Sequence, residues 1–144
     1  MYFLRDVLRK IENTIGYLKP ECGGIIAMDQ DGVISDFYFD AEAGFGKASY
    51  IPSRLSIQKY VRENWNLPDR QFCGIVHSHP LCNICEPSYI DINMALKIMT
   101  VNKMKNLYLL MVLGSEMKLY CVTNEDSNGQ SSCTEKKIEV YEQL

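Results

Sequence analysis

The chain has two histidines, and they stand two residues apart in His77-Ser78-His79-Pro80. On a strand, residues i and i+2 face the same side about 6.5–7 Å apart, so both imidazoles can converge on one ion. Nine residues beyond His79 comes Ser88, and Ser88-Tyr89-Ile90-Asp91 reads as the start of a helix. An aspartate there can supply an oxygen ligand. Two histidines and a carboxylate leave a fourth tetrahedral position for water, the arrangement of a catalytic zinc site. Zinc brings the pKa of such a water to about 7. Taken alone, Ser88 and Asp91 read more readily as a capping box, with Ser88 at the cap and Asp91 at N3. Pro80 and Pro87 fix the ends of a loop that can fold the aspartate back towards the histidines.

Hydrolysis at such a site also needs a proton carrier that is not a ligand. Glu21 stands just before the first apolar strand, in Lys19-Pro20-Glu21-Cys22-Gly23-Gly24. A carboxylate entering a buried strand is costly unless it is used, and the two glycines allow close approach of a backbone or substrate. Without the histidines, Glu21 would read as a solvated strand-start residue. Cys22 is a poor nucleophile, because the charge of Glu21 disfavours its thiolate; it reads as a packed strand thiol. Cys82-x-x-Cys85 has metal-like spacing, for a second, structural zinc or a redox switch. Zinc would have to recruit Cys73, Cys121 or Cys133 to reach four ligands, so two ordinary thiols are the better reading. A nucleoside deaminase is disfavoured, for it needs His-x-Glu or Cys-x-Glu upstream and neither is present there.

These residues need elements to hold them. Leu4, Val7, Leu8, Ile11, Ile15 and Leu18 make one helical stripe, stopped by Gly16 and Pro20. Cys22–Met28 suits a buried strand, residues 29–32 a turn, and Val33–Phe39 the returning strand of a hairpin. Asp40–Ser49, with Gly44 and Gly46, reads as a mobile surface loop. Ser53 is the candidate cap of a second helix whose inner face carries Ile57, Tyr60, Val61 and Trp65. Gln71–Val76 is a strand running straight into the histidines. The helix from Ser88 is expected to bury Ile90, Met94, Ile98 and Met99. Leu107–Leu113 and Met117–Val122 form a hairpin around Gly114-Ser115-Glu116, Thr123–Ser132 a loop, and Thr134–Tyr141 a charged edge strand. This order predicts an α/β (α+β) fold, a mixed central β-sheet flanked by helices.

Composition bounds the alternatives. The 144 residues, 47% hydrophobic and 23% charged, fit one domain spanning 1–144 with a real core. A net charge of −3, a pI near 5.4 and no basic cluster longer than Lys136-Lys137 argue against nucleic acid or anionic membrane as partner. No apolar run reaches the roughly 20 residues of a membrane span. Arg5 and Asp6 stand where a secretory signal would be apolar. A cytoplasmic chain with reduced thiols is expected.

Pro20-Glu21-Cys22-Gly23-Gly24, His77-Ser78-His79-Pro80 and Pro87-Ser88-x-x-Asp91 together resemble the JAMM (JAB, MPN+ or Mov34) zinc metalloprotease family, from the first helix to about Val122. The resemblance implies the JAMM/MPN (cytidine-deaminase-like) fold. It implies His77, His79 and Asp91 as ligands of Zn2+, Glu21 as general acid/base and Ser88 as oxyanion donor. It further implies cleavage after the C-terminal glycine of a ubiquitin-like protein. The tail of that protein would lie along a strand edge flanking Asp40–Ser49 or the His79–Ser88 loop. A compact stand-alone domain is most similar to the bacterial members, which work with E1-like and E2-like proteins in conjugation systems, antiphage ones included. Two other readings stand beside this one. The first is a JAMM peptidase for a sulfur-carrier adduct or a cell-wall or phage-tail peptide. The second is a non-catalytic MPN scaffold, disfavoured because every ligand position is filled. Eleven residues separate His79 from Asp91, one more than is usual in that family. The extra residue falls in Leu81–Glu86, where a bulged loop is expected.

Overall fold

A computed structural model describes residues 1–16, 22–45, 50–65, 67–78, 85–125 and 130–142. Helix α1 (Arg5–Thr14) follows a three-residue strand, β1 (Tyr2–Leu4). Strands β2 (Gly23–Met28) and β3 (Val33–Phe39) form the expected hairpin. Its turn is held by Asp29 Oδ1, which accepts from the backbone N–H of Asp31 and of Val33, and by Gly32 at φ 78°. A side chain with a Cβ rarely adopts that conformation.

Asp40 is buried at the end of β3, and its carboxylate accepts the Ser53 N–H at 2.7 Å. Ser53 is thus at the N-cap of helix α2 (Arg54–Asn64), as expected, but its own side chain makes no capping bond. The excursion between them is not the plain loop expected of Asp40–Ser49. Gly44–Phe45 (β4) pairs antiparallel with Tyr50–Ile51 (β5), a ladder apart from the main sheet. Strands of two residues are too short to show alternation. Helix α2 is set against β3 by Trp65, whose indole N–H donates to Asp36 at 2.7 Å, and by Tyr38 and Tyr60 stacked at 4.0 Å.

Strand β6 (Gln71–Ser78), helix α3 (Tyr89–Val101) and strand β7 (Asn106–Leu113) follow, with β6 and β7 parallel and central. Strand β8 (Glu116–Glu125) returns antiparallel. Then β9 (Gln130–Lys136) pairs with β8, and β10 (Glu139–Tyr141) with β1. The sheet order is β10-β1-β3-β2-β6-β7-β8-β9, so the architecture is the expected mixed sheet flanked by helices. Alternate residues of the central strands serve opposite faces. Ile26, Val76, Leu110 and Val112 pack with Val7, Ile11 and Ile15 of α1. Ile25, Ile75, Leu109 and Met111 pack with Ala95 and Met99 of α3 and with Trp65, and Ile57, Tyr60 and Val61 of α2 lean on them. A sheet covered on both faces explains the near-continuous apolar runs.

Two expectations at the end of the chain are corrected. Thr123–Ser132 is not simply a loop, since β8 and β9 extend into it from both sides. Thr134–Tyr141 is not one edge strand but the end of β9 and all of β10, at opposite edges of the sheet. Only residues 137–138 lie between them. A flat sheet of this width would hold its edges ~33 Å apart, whereas so short a link spans only ~10 Å. The sheet must therefore curl until its edges nearly meet. The seam is fastened by the Met1 ammonium donating to Lys137 O at 3.0 Å and Glu139 N–H donating to Met1 O at 2.9 Å.

Candidate metal centre

His77 is the second-last residue of β6, cross-strand from Gly23 in β2 and beside Met111 in β7. It lies on the face that α3 covers, two residues along from Ile75. Asp91 is in the first turn of α3 and is buried with Ala95 and Met99. The inner stripe of α3 is therefore Asp91-Ala95-Met99, and the expected inward Ile90 is 67% exposed. A hydrophobicity reading assigns the isoleucine inward because a buried carboxylate is costly without a partner. Here the partner comes from another element. His77 Nε2 stands 2.9 Å from Asp91 Oδ1, with the histidine 2% and the aspartate 6% exposed.

The other carboxylate oxygen anchors the helix start. Asp91 Oδ2 accepts the Ser88 N–H at 2.6 Å, and Ser88 Oγ accepts the Asp91 N–H at 3.2 Å, a complete capping box. The capping and metal readings of this pair are thus compatible. One oxygen of Asp91 orients the side chain and the other is aimed at His77. A hydroxyl that accepts one bond still has its own proton to donate, and Ser88 is exposed.

An imidazole nitrogen and a carboxylate oxygen are donors that zinc takes. Ligands about 2.0–2.2 Å from a tetrahedral ion lie ~3.3 Å apart, so a pair separated by 2.9 Å fits one ion after a shift of a few tenths of an ångström. Among the described residues no three metal-binding side chains cluster. His79 and Glu21, the further expected ligand and the expected acid/base, lie outside the described residues, as does Cys82. Their chain neighbours are joined. Ser78, before His79, donates its N–H to the carbonyl of Cys22, after Glu21, at 3.0 Å, and its Oγ accepts the Cys22 N–H at 3.1 Å. Cys22 itself packs on the α1 face of the sheet, opposite the face that carries His77, as a strand thiol should.

Two further residues lie beside the site; Tyr120 carries no local signal of a role there, and Cys85 only the spacing of Cys82-x-x-Cys85. Cys85 is buried, and its thiol donates to Met111 O at 3.3 Å, next to His77. Tyr120, in β8, donates its hydroxyl to Cys85 O at 3.4 Å. Burial, then the nearby Glu116, pushes the Cys85 thiol up, which favours a protonated donor over a thiolate ligand. Burial, then Glu135 and Glu86, pushes the Tyr120 phenol up to about 12.

The sequence matches no family model, and no curated protein matches it. Among solved structures it is similar to a JAB1/MPN domain protein from Archaeoglobus fulgidus. That likeness has a TM-score of 0.55 at 19% identity and covers 99% of this chain and 100% of the other. With its curled mixed sheet between α1 and the α2–α3 pair, the chain has the fold of a JAB1/MPN domain.

Proposed function

We propose that this chain is a JAMM-type zinc isopeptidase or peptidase that cleaves after the C-terminal glycine of a ubiquitin-like protein, in the cytoplasm of a bacterium that carries a conjugation system. The observation that carries the reading is the approach of His77 to Asp91, two buried donors brought to 2.9 Å from different elements of a JAB1/MPN fold. His77, His79 and Asp91 would hold the ion. Zinc, when bound, supplies a Lewis acid for the scissile carbonyl and water acidified to a pKa of about 7. Glu21 would serve as the proton carrier, from the attacking water to the departing amine. The Ser88 hydroxyl donates to the developing oxyanion. Asp91 Oδ2 is taken by the Ser88 N–H, which leaves Oδ1 as the oxygen that would face the ion.

The substrate part of the reading draws support from the β4–β5 ladder, a two-stranded unit apart from the main sheet, to which an extended tail could add as a further strand. E1-like and E2-like proteins of the same system are the partners that go with it. The test is incubation of the zinc-loaded protein with ubiquitin-like fusions ending in Gly or in Leu, read by intact mass. A large side chain at a narrow cleft is expected to slow cleavage about a hundredfold or more. Equal rates on both would reject the ubiquitin-like tail and favour a general peptidase. No cleavage together with no bound zinc would reject the enzyme.

A further inference from the structure

We propose that Cys85 and Tyr120 are positioning residues that hold Asp91 against His77, an inference resting on the zinc reading above. Strand pairing, hydrogen bonds and the short chain 85–88 together link His77 back to Asp91, with Tyr120 bracing Cys85 from the side. His77 in β6 lies beside Met111 in β7. The Met111 carbonyl accepts the Cys85 thiol at 3.3 Å, and the Cys85 carbonyl accepts the Tyr120 hydroxyl from β8 at 3.4 Å. Three residues on, Ser88 donates its N–H to Asp91 Oδ2, and Asp91 Oδ1 returns to His77 Nε2 at 2.9 Å. Cys85 is thus bonded through its side chain and its backbone to two neighbouring strands, just before the turn that aims Asp91.

A helix start that could slide along the sheet would carry Asp91 with it. Packing resists this only weakly at that end of α3, for Tyr89 and Ile90 are 79% and 67% exposed. Polar bonds must then fix the position, and Cys85 is where the chain makes them. The Cys85 thiol serves here as a protonated donor among apolar neighbours, the chemistry that its burial favours.

The test compares the full chain with C85A, C85S and Y120F, first metal-free and then titrated with cobalt(II) as a visible-absorbing probe. Two histidines give two imidazole spin systems in a long-range proton–nitrogen spectrum. In metal-free C85A and Y120F, the His77 ring signals are expected to shift and the Asp91 amide to exchange faster, about threefold to tenfold. Cobalt should bind C85A about tenfold to a hundredfold more weakly than the unaltered chain, the usual penalty for losing an outer support of a ligand. C85S, which keeps a donor, should recover most of that loss; C85S as weak as C85A would overturn the donor role of the thiol. Y120F keeps the ring in the core, so it reads the hydroxyl alone even if C85A fails to fold. Ring signals and exchange unchanged in Y120F and in folded C85A would overturn the proposal. If the unaltered chain binds no cobalt, the zinc reading fails, while the metal-free spectra still decide whether Cys85 and Tyr120 set the His77–Asp91 pair.

Discussion

On the zinc reading proposed above, Asp91 serves two purposes with its two oxygens, capping α3 and holding the ion, and a pair of substitutions separates them. Asp91→Asn keeps an acceptor for the Ser88 N–H, now held at 2.6 Å, but gives up the anionic ligand. Asp91→Ala gives up both. Loss of a cap costs about 1 kcal/mol, so in the presence of chelator Asp91→Ala is expected to melt roughly 3–4 °C below Asp91→Asn. Zinc then reads the second purpose. At free zinc about a thousandfold above Kd, a bound ion stabilises the native state by about 4.1 kcal/mol, which raises Tm by roughly 10–15 °C in a chain of this size. Even outer supports of a metal ligand are worth about 10–100-fold in affinity. A lost ligand should therefore weaken binding at least about a hundredfold, leaving about 1.4 kcal/mol and 4–5 °C of the zinc shift in both variants. The assay is thermal denaturation of the three proteins, each with chelator and with buffered zinc. A full zinc shift in Asp91→Asn would refute Asp91 as a ligand. Equal melting of the two variants in chelator would refute its part in the cap.

Glu21→Ala is expected to keep its zinc, measured by elemental analysis, while cleavage falls about 10³–10⁴-fold, because a general acid/base serving two proton transfers carries the upper end of such effects; activity within tenfold of the unaltered chain would move the base elsewhere, with Glu86 next to test. Gly24→Ala should destabilise the fold by about 3 kcal/mol in urea denaturation. An ideal Cβ at that position lies 2.1 Å from Tyr38 O, backbone that cannot turn aside, and 2.8 Å from the Phe37 ring; a loss under about 0.5 kcal/mol would show that β2 and β3 can part there. Of the described cysteines, Cys133 is the exposed one, and iodoacetamide at pH 8 should label it at least about a hundredfold faster than Cys73 or Cys85, whose thiols burial pushes up. Peptide mapping reads this, and comparable labelling of Cys85 would contradict its packed place beside Met111.

Much of this molecule is written in local patterns. The stripe Leu4-Val7-Leu8-Ile11-Ile15 places α1, and the runs at residues 23–28, 71–78 and 106–113 place the central strands, because a sheet buried on both faces needs apolar residues at every position. The spacing of the two histidines, Ser88 and Asp91 marks a candidate metal site, and of these the structure brings His77 and Asp91 together. What local patterns leave open are features whose energy comes from distant partners. Asp91 faces inward and Ile90 outward, against their hydrophobicities, because His77 and the Ser88 N–H receive the carboxylate. Cys85 and Tyr120 meet only when β7, β8 and the start of α3 are assembled. Strands β1 and β10, three residues each, have no periodicity to read. They pair because the curl of the sheet brings residues 139–141 beside residues 2–4. Local propensity decides which segments can be strands or helices. Which of them touch is settled by closure of the sheet, since each contact stabilises only once the chain entropy between its partners has been overcome.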